Sequence, residues 1–250
     1  MKYEISEGQW VDFFNTLTTT QKSTRDITGN PGKFSDTIYY RNTIGWTVGD
    51  ATSQRPDRAC SFLSWMDGAA YADWAGLRPM TELEYEKACR GDQAVVSLEI
   101  ASGTPTYVAA TTISGTENGT EYITNSGANI NSNSYAVPFT GGDGGGGPLR
   151  CGIFATASTS REQAGAGFYG VMELTGNLWE QCVTIADQTF DNLPTNAGLF
   201  DGGHGDGALS ANGNANVSTW PGLVSGEVTG TKGAGSRGAS WSYDSYAPYS

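Results

Sequence analysis

Apolar residues at helical spacing predict a first helix near the amino terminus. Four of them recur three or four positions apart, which places them on one helix face. They are Trp10, Phe13, Phe14 and Leu17. Ser6 and Gln9 form a capping-box pattern just before this run. The sequence therefore predicts a helix that begins after Ser6 and buries an aromatic face, and the polar segment 18–36 is interpreted as a loop.

Two further helices are predicted from their end signals. Ser64 and Asp67 repeat the capping pattern, and Gly76 stands where a carboxyl-terminal glycine would end the helix. Thr81 and Glu84 form a third capping box, followed by acidic residues in the first turn and basic residues in the last. These signals agree with one another and predict helices after residues 64 and 81.

Segments rich in β-branched and aromatic residues predict short strands in the middle of the chain. They lie at residues 93–100, 105–113 and 120–125 and are separated by Gly, Asn and Ser turns. The opening "KYEIS" at residues 2–6 also resembles a strand. The sequence therefore predicts a mixture of a few helices with short strands.

Long stretches of the chain have no helix or strand pattern. Residues 125–167 and 187–238 are interpreted mostly as loops, and loops this long need bound cations or disulfides to fix them, or they are functional. The chain has four widely spaced cysteines, Cys60, Cys89, Cys151 and Cys182. No CxxC motif occurs, so two disulfides, one disulfide or four thiols all remain open.

The charge balance excludes several classes of partner. The chain has 14 basic and 26 acidic residues, so its net charge is −12. This field disfavours nucleic acid and anionic membrane surfaces and favours divalent cations as counter-ions. No stretch approaches the roughly 20 apolar residues of a membrane helix, so direct membrane insertion is not expected. The abundance of Asn, Thr, Ser and Gly suggests a secreted or surface protein.

Four stretches resemble the formylglycine-generating enzyme (sulfatase-modifying factor) family. In chain order they are "MKYEISEGQWVDFFNTL", "SFLSWMDGAAYADWAGLRPMTELEYEKACRG", "GFYGVMELTGNLWEQC" and "GSRGASW". The resemblance implies one domain over residues 1–250 with an α+β variant of the C-type lectin fold. This fold is loop-rich, with a few helices and small twisted antiparallel sheets. The family's extreme amino- and carboxyl-terminal segments are expected to be missing.

The residues that carry chemistry in this family do not match the chain. The family's oxidases resemble each other in a cysteine pair shortly after an "RGGSW"-like strand, where soft thiolates suit copper. Here "RGASW" ends at Trp241 and "SYDSYAPYS" follows, without cysteine. The iron-dependent members need a histidine cluster, whereas the chain has His204 alone. No catalytic residue is therefore predicted, and a copper-dependent oxidase stays an alternative only if its cysteines lie beyond Ser250.

The resemblance implies a calcium site at the turn in "GVMELTGNLWEQC". Its ligands would be the side chains of Glu173 and Glu180 and the carbonyl oxygens of Gly176 and Leu178. Calcium takes six to eight oxygen ligands, and both carboxylates and carbonyls suit it. Trp179 is expected to lie in the core. The alternative is that Glu180 accepts backbone hydrogen bonds and caps the turn without a metal.

A second calcium site is implied farther upstream. Its ligands would be the side chains of Asn129 and Asp143 and the carbonyl oxygens of Ile130 and Gly145. Glycine allows the backbone of "GGDGGGG" to fold tightly enough to aim its oxygens inward. The alternative is a flexible glycine loop in which Asp143 forms a turn.

These observations together predict a non-catalytic binding or structural module on a calcium-stabilised scaffold. We expect it outside the cell or on a particle surface, with a protein or glycan ligand or with self-assembly on a surface. Two alternatives remain. One is a copper-dependent formylglycine-generating oxidase, and the other is a subunit of a surface filament, layer or phage particle.

Overall fold

The computed structural model describes residues 1–28, 40–132, 139–185 and 199–242. The helices are α1 (Glu7–Asn15), α2 (Thr19–Arg25), α3 (Trp65–Trp74) and α4 (Glu82–Arg90). The strands are β1 (Ile44–Gly45), β2 (Thr52–Ser53), β3 (Ile113–Ser114), β4 (Tyr122–Ile123), β5 (Glu180–Val183), β6 (Leu223–Val224), β7 (Glu227–Val228) and β8 (Ala234–Arg237). In these ranges no helix has the length and apolarity required to span a lipid bilayer.

Capping boxes begin the three helices that the sequence predicts. Ser6, Ser64 and Thr81 each accept a hydrogen bond from the backbone N–H three residues later, and that later side chain accepts one in return. Each box satisfies two of the backbone donors that a helix leaves free at its start. Gly76 and Gly91, just past the ends of α3 and α4, adopt positive φ values of 65° and 70°. The predicted helix boundaries are confirmed.

Helix α2 corrects the prediction that residues 18–36 form a loop. Its first residue follows Thr18, which makes a capping box with Gln21. Its last residue, Arg25, is buried and pairs with Asp67 of α3 at 2.9 Å. The helix has no apolar face, so hydrophobic periodicity could not reveal it, although the Thr-x-x-Gln signal is present in the sequence. Residues 29–36 lie outside the described residues.

The strands form four two-stranded antiparallel sheets, each only two to four residues long. Three of them are local pairs, β1 with β2, β3 with β4 and β6 with β7. The fourth joins β5 to β8, so that Glu180 lies opposite Arg237 and Val183 opposite Ala234. This pairing of distant segments fixes the start of β5 against residues 234–238. The α+β class and the loop-rich character are confirmed.

The predicted strand at residues 93–100 is wrong. Val95 and Leu98 are 73% and 61% exposed, and Leu98 has a φ of 59°, which interrupts an extended backbone. Apolar β-branched residues form a strand only when a partner and a buried face are available. The predicted opening strand at residues 2–6 is also wrong, because within that segment only Ser6 forms a bridge, with Ala59.

Aromatic side chains build the largest part of the core. Phe13 of α1 packs edge-on against Trp10 and Tyr71, with ring centroids 5.0 and 5.6 Å apart. A second cluster surrounds Trp65 and Trp220. A smaller cluster places Tyr85, Cys89 and Ala101 against Leu174 and Cys182, beside the predicted calcium turn. Helix α4 therefore packs against this turn through Tyr85 and Cys89.

We expect Thr81→Ala to destabilise the protein by about 1 kcal/mol, because it removes the cap of α4. The Thr81 side chain accepts from the Glu84 N–H at 3.2 Å. Thr20→Ala, in the exposed first turn of α2, is the matched control and should change stability little. Urea unfolding measures both, and equal midpoints for the two variants would contradict the role of this cap.

Candidate metal centre

The turn from Glu173 to Glu180 has a backbone that is neither helical nor extended over most of its length. Glu173, Gly176 and Asn177 have φ values of 58°, 77° and 61°, in the left-handed region. Non-glycine residues reach this region at a cost of about 1–2 kcal/mol each, so the surrounding contacts must hold them there. The turn ends where β5 begins, at Glu180.

Two glycines allow the turn to approach its neighbours closely. A Cβ atom at Gly176 would lie 2.4 Å from the Asn131 carbonyl oxygen. A Cβ atom at Gly238 would lie 2.1 Å from Glu180 Oε2 and 2.6 Å from the Leu174 carbonyl oxygen. The Gly176 N–H donates to the Gly238 carbonyl at 2.7 Å. A larger side chain at either position would displace the oxygens of the turn.

Asn177 fixes the centre of the turn through five hydrogen bonds. Its side-chain oxygen accepts from the Leu149 N–H at 2.7 Å and from Asn131 Nδ2 at 2.8 Å. Its Nδ2 donates to the carboxylate of Glu4. Its backbone N–H donates to Asn131 at 2.7 Å, and its carbonyl accepts from Trp241 at 2.8 Å. The Asn177 side chain therefore holds the turn in place. The carbonyl oxygens of Gly176 and Leu178, on either side of it, take no part in these bonds.

Three carboxylates surround this turn. Glu173 and Glu180 are buried, at 6% and 9% exposure. Glu4 is partly buried as a residue, but its carboxylate is enclosed by the turn and also accepts the Leu178 N–H at 2.9 Å. Within the described ranges, Glu173 Oε2 and both carboxylate oxygens of Glu180 have no hydrogen-bond partner. Buried oxygens without donors are costly unless a proton or a cation satisfies them.

The pKa values of the three carboxyl groups are raised. Burial is the largest cause for Glu180, followed by the charges of Glu4 and then Glu173. Burial also raises the pKa of Glu4 well above its usual value, and the charge of Glu173 adds to it. Burial raises the pKa of Glu173 to about 7, against the Gly152 N–H and the charges of Arg150 and Lys2. Arg150 is also paired with Glu121, at 3.7 Å, so it is shared between two acids.

The predicted ligands of the 173–180 turn fit a calcium ion in the chemistry of their oxygens. The two carboxylates supply three unpartnered oxygens. The carbonyls of Gly176 and Leu178 accept no hydrogen bond from the parts of the chain that the structure describes. In those parts, no group of three or more His, Cys, Asp or Glu side chains lies close enough to hold a metal. A cation here would therefore need backbone oxygens, which calcium accepts.

Trp179 does not lie in the core, and this part of the sequence prediction is wrong. Its side chain is 39% exposed. The backbone at Asn177 is left-handed, and the N–H of Leu178 after it donates inward to Glu4. The indole of Trp179, the following residue, faces outward. Trp65, by contrast, is buried, and Trp74 packs against Phe13 with the ring centroids 5.2 Å apart.

The second predicted calcium site has oxygens that already accept hydrogen bonds. Asn129 Oδ1 accepts from the Val108 N–H at 2.9 Å, and the Ile130 carbonyl accepts from the Ala110 N–H at 2.9 Å. The Gly145 carbonyl accepts from the Phe139 N–H at 3.3 Å. The site at these residues stays a prediction, with fewer free oxygens than the 173–180 turn offers.

Asp143, the acidic residue of that second site, belongs to a buried cluster of opposite charges. Its Oδ1 lies 2.7 Å from Arg41 Nη1 and its Oδ2 lies 3.2 Å from Arg58 Nη2. Both arginines also contact Glu117 Oε1. We call Arg41, Arg58, Glu117 and Asp143 the Arg–acid cluster. Burial opposes ionisation of Asp143, but Arg41, the Gly145 N–H and Arg58 outweigh it and lower its pKa.

All four cysteines are free thiols. Burial raises the pKa of Cys60 well above its usual value and the pKa values of Cys89 and Cys182 to about 12. Burial also raises the pKa of the half-buried Cys151, and the charges of Glu4 and Glu173 add to this. Because all four thiols are free, the disulfides left open by the sequence are not formed in this structure. Thiols with raised pKa values are mostly protonated at neutral pH and weakly nucleophilic.

Sequence reasoning missed Glu4 and the Arg–acid cluster. Glu4 lies 174 residues before Leu178, its partner in the chain, and no motif joins the two. Arg41 and Glu117 are 76 residues apart and Arg58 and Asp143 are 85 apart, and no motif joins them. The sequence carries one general signal for such a cluster. It has 14 basic and 26 acidic residues, so any arginine that is buried has acidic residues available to pair with.

Comparison with known proteins gives the family. Residues 1–234 match the sulfatase-modifying factor enzyme 1-like domain. This match covers most of the chain and includes the turn, β5 and the start of β8. The chain therefore belongs to the sulfatase-modifying factor family, as the four sequence stretches predicted.

Two relatives are named formylglycine-generating enzyme. The chain is 32% identical to the one from Thermomonospora curvata over 136 residues, 54% of this chain and 36% of that protein. It is 51% identical to the one from Bos taurus over 37 residues, 15% of this chain and 10% of that protein. The aligned part thus spans about a third or less of each relative's length.

We expect the metal-free protein to lose stability as pH rises from about 5 to about 8. The pKa of Glu173 is about 7 when folded against 4.5 ordinarily, so the folded state binds more protons between these values and stability falls with pH. Glu173 alone accounts for about 3 kcal/mol at most, at about 1.4 kcal/mol per unit. The raised pKa values of Glu4 and Glu180 act in the same direction.

Urea unfolding in the presence of a chelator measures this slope. Glu173→Gln is the informative variant, because it keeps the shape of the side chain and removes its titration. Its stability should depend less on pH and exceed that of the unaltered protein at the alkaline end. A free energy of unfolding that rises with pH over this range would contradict the arrangement.

We expect Ellman's reagent to react slowly with the native protein and with all four thiols once it is denatured without reductant. Burial and raised pKa values protect the thiols, and the half-buried Cys151 should react first. Cys151→Ser should therefore remove the fastest phase. Fewer than four reactive thiols in the denatured, unreduced protein would show a disulfide and contradict the structure.

Proposed function

We propose that the chain is a non-catalytic binding or structural module of the sulfatase-modifying factor family, held at its 173–180 turn by a calcium ion. The proposal extends the α+β architecture to a C-type lectin-like scaffold. The observation that carries it is the pair of buried carboxylates, Glu173 and Glu180, with three oxygens that no described donor satisfies. A module of this kind needs a fixed irregular backbone, and a cation at this turn would fix it.

Charge balance supports a cation. Three acidic side chains meet at the turn, while Lys2 and Arg150 are the cationic groups that act on Glu173. Like charges in a poorly solvated site repel strongly, and a divalent ion removes most of that repulsion. The net charge of −12 raises the local concentration of divalent cations in the same direction. Protonation is the competing solution, and it becomes weaker as pH rises.

The residues that would hold the ion are those of the turn itself. Glu173 and Glu180 would supply carboxylate oxygens, and Gly176 and Leu178 would supply carbonyl oxygens. Calcium supplies positive charge and coordination without redox chemistry. Glu4 is a positioning residue, because its carboxylate holds the Leu178 N–H and the Asn177 amide and so orients the peptide units of the turn.

The state of the thiols supports a non-catalytic role for this part of the protein. An oxidase of this family would need thiolates that can bind copper. Burial raises the pKa values of Cys60, Cys89 and Cys182, which disfavours the thiolate form at neutral pH. Copper binding at any of these cysteines would therefore have to overcome the raised pKa of a buried thiol.

A formylglycine-generating oxidase is the second candidate function. The names of the two relatives favour it. An assay of the full-length protein with copper and a cysteine-containing sulfatase peptide separates the two candidates. Conversion of the cysteine to formylglycine would overturn the non-catalytic proposal, and binding without conversion would support it.

The proposed location is extracellular or on a particle surface, with a protein or glycan as ligand or with self-assembly. Composition supports it, through low charge content and abundant Gly, Asn, Thr and Ser. The four thiols are free, and three of them are buried, which protects them from oxidation outside the cell. A subunit of a filament, layer or phage particle is the assembled form of this proposal. Mass measurement of the native particle tests it.

We expect Ca²⁺ to raise the melting temperature of the chelator-treated protein. Binding to the folded state alone adds about 2.7 kcal/mol at a Ca²⁺ concentration about a hundredfold above Kd. For a chain of this size this corresponds to roughly 5–10 °C. Glu180→Gln should remove most of the increase, because it replaces a charged ligand with a neutral one.

The matched control is Glu162→Gln, which makes the same substitution at an exposed position. It should keep the full response to Ca²⁺. Melting curves that are identical with saturating chelator and with saturating Ca²⁺ would rule out a calcium-stabilised turn. A response that survives in Glu180→Gln would place the ion elsewhere.

A further inference from the structure

The Arg–acid cluster is built around the glycine-rich loop, residues 141–147. The Asp143 N–H donates to Glu117 Oε2 at 2.8 Å, and the Gly145 N–H donates to Asp143 Oδ1 at 2.9 Å. The backbone N–H of Asp143 thus ties the loop to Glu117, and its carboxylate binds the loop's own backbone at Gly145. These bonds give the loop a defined shape although six of its seven residues are glycine.

The two arginines are fixed from the other side. Arg41 Nε donates to the Pro148 carbonyl at 3.0 Å, and its guanidinium lies 5.3 Å from the centre of the Phe139 ring. Arg58 Nη1 donates to the Arg41 carbonyl. Arg41 has a φ of 62°, in the left-handed region, so its backbone is held in a strained conformation that places the guanidinium inward.

Charge in this cluster is balanced without an ion. Two guanidinium groups face two carboxylates, and the side chains of Arg41, Arg58 and Glu117 are 1%, 3% and 3% exposed. The Asp143 side chain is 11% exposed. A divalent cation placed against Asp143 would add two positive charges beside two buried guanidinium groups, where repulsion is weakly screened. The guanidinium groups of Arg41 and Arg58 therefore take the place beside the Asp143 carboxylate that a calcium ion would need.

We propose that Arg41 and Arg58 supply the positive charge that the resemblance assigns to a calcium ion at Asp143, so that the glycine-rich loop is held without a metal. Calcium is therefore not expected at this loop, and the 173–180 turn of the proposed function stays the expected calcium site. The two groups of acidic residues differ in their positive partners. Arg41 and Arg58 neutralise Glu117 and Asp143, whereas no such pair of buried arginines is described at Glu173 and Glu180. The inference about Asp143 does not depend on calcium at Glu180.

Calcium stoichiometry tests the inference on the folded protein. Metal-free protein is dialysed against CaCl₂ and the bound Ca²⁺ is quantified for the unaltered chain, Glu180→Gln and Asp143→Asn. We expect one Ca²⁺ per chain, lost in Glu180→Gln and retained in Asp143→Asn. Two Ca²⁺ ions per chain, one of them lost in Asp143→Asn, would overturn the inference. No bound Ca²⁺ at all would contradict the calcium-held turn and agree with a metal-free Asp143.

A gain of calcium dependence tests the role of the arginines directly. In a Glu180→Gln background, Arg58→Met leaves Glu117 and Asp143 with one guanidinium, so Ca²⁺ should raise the melting temperature of this variant and not that of its parent. Arg58→Lys keeps the charge and should remain insensitive to Ca²⁺. An Arg58→Met variant that folds and ignores Ca²⁺ would overturn the proposed replacement. If it does not fold in either condition, the stoichiometry of the unaltered protein decides.

Discussion

Burial of negative charge at the 173–180 turn is the constraint on which the account of this protein depends. Glu173 and Glu180 are enclosed with three oxygens that have no donor among the described residues, and Glu4 brings a third carboxylate against the same turn. Such a group can be neutral at low pH or balanced by a cation, and each solution predicts a different dependence of stability on pH. The left-handed backbone at Asn177 persists because Asn131, Leu149, Glu4 and Trp241 hold it.

The fold replaces long regular elements with side-chain networks. In the described ranges its strands are at most four residues long, and its four cysteines form no disulfides. Asn177 at the turn and Asp143 at the glycine-rich loop each collect several hydrogen bonds from distant segments. The two networks differ in their positive charge: Asp143 and Glu117 face two buried arginines, whereas Lys2 and the partly exposed Arg150 act on Glu173. On the proposed account, members of the sulfatase-modifying factor family can differ in how many ions the scaffold binds.

The sequence predicted the features that depend on local signals. The capping boxes at Ser6, Ser64 and Thr81 placed three helices, and the resemblance of the "GNLWE" stretch to the family pointed to the turn beside Glu173 and Glu180. Features set by tertiary contacts were not predictable in this way. Helix α2 lacks an apolar face, Trp179 is turned outward by its neighbour's backbone, and Glu4 reaches the turn from 174 residues away. Residues 93–100 had the composition of a strand but pair with no other part of the chain that the structure describes.

Terbium luminescence tests the central claim, that a cation is bound at the 173–180 turn, most directly. Tb³⁺ replaces Ca²⁺ at oxygen sites and emits when a nearby tryptophan is excited, and Trp179 lies between Leu178 and Glu180 in the chain. The account predicts sensitised emission that saturates with one Tb³⁺ per chain, falls when Ca²⁺ is added and is absent from Glu180→Gln. Emission that is absent from the unaltered protein, or unchanged in Glu180→Gln, would contradict it.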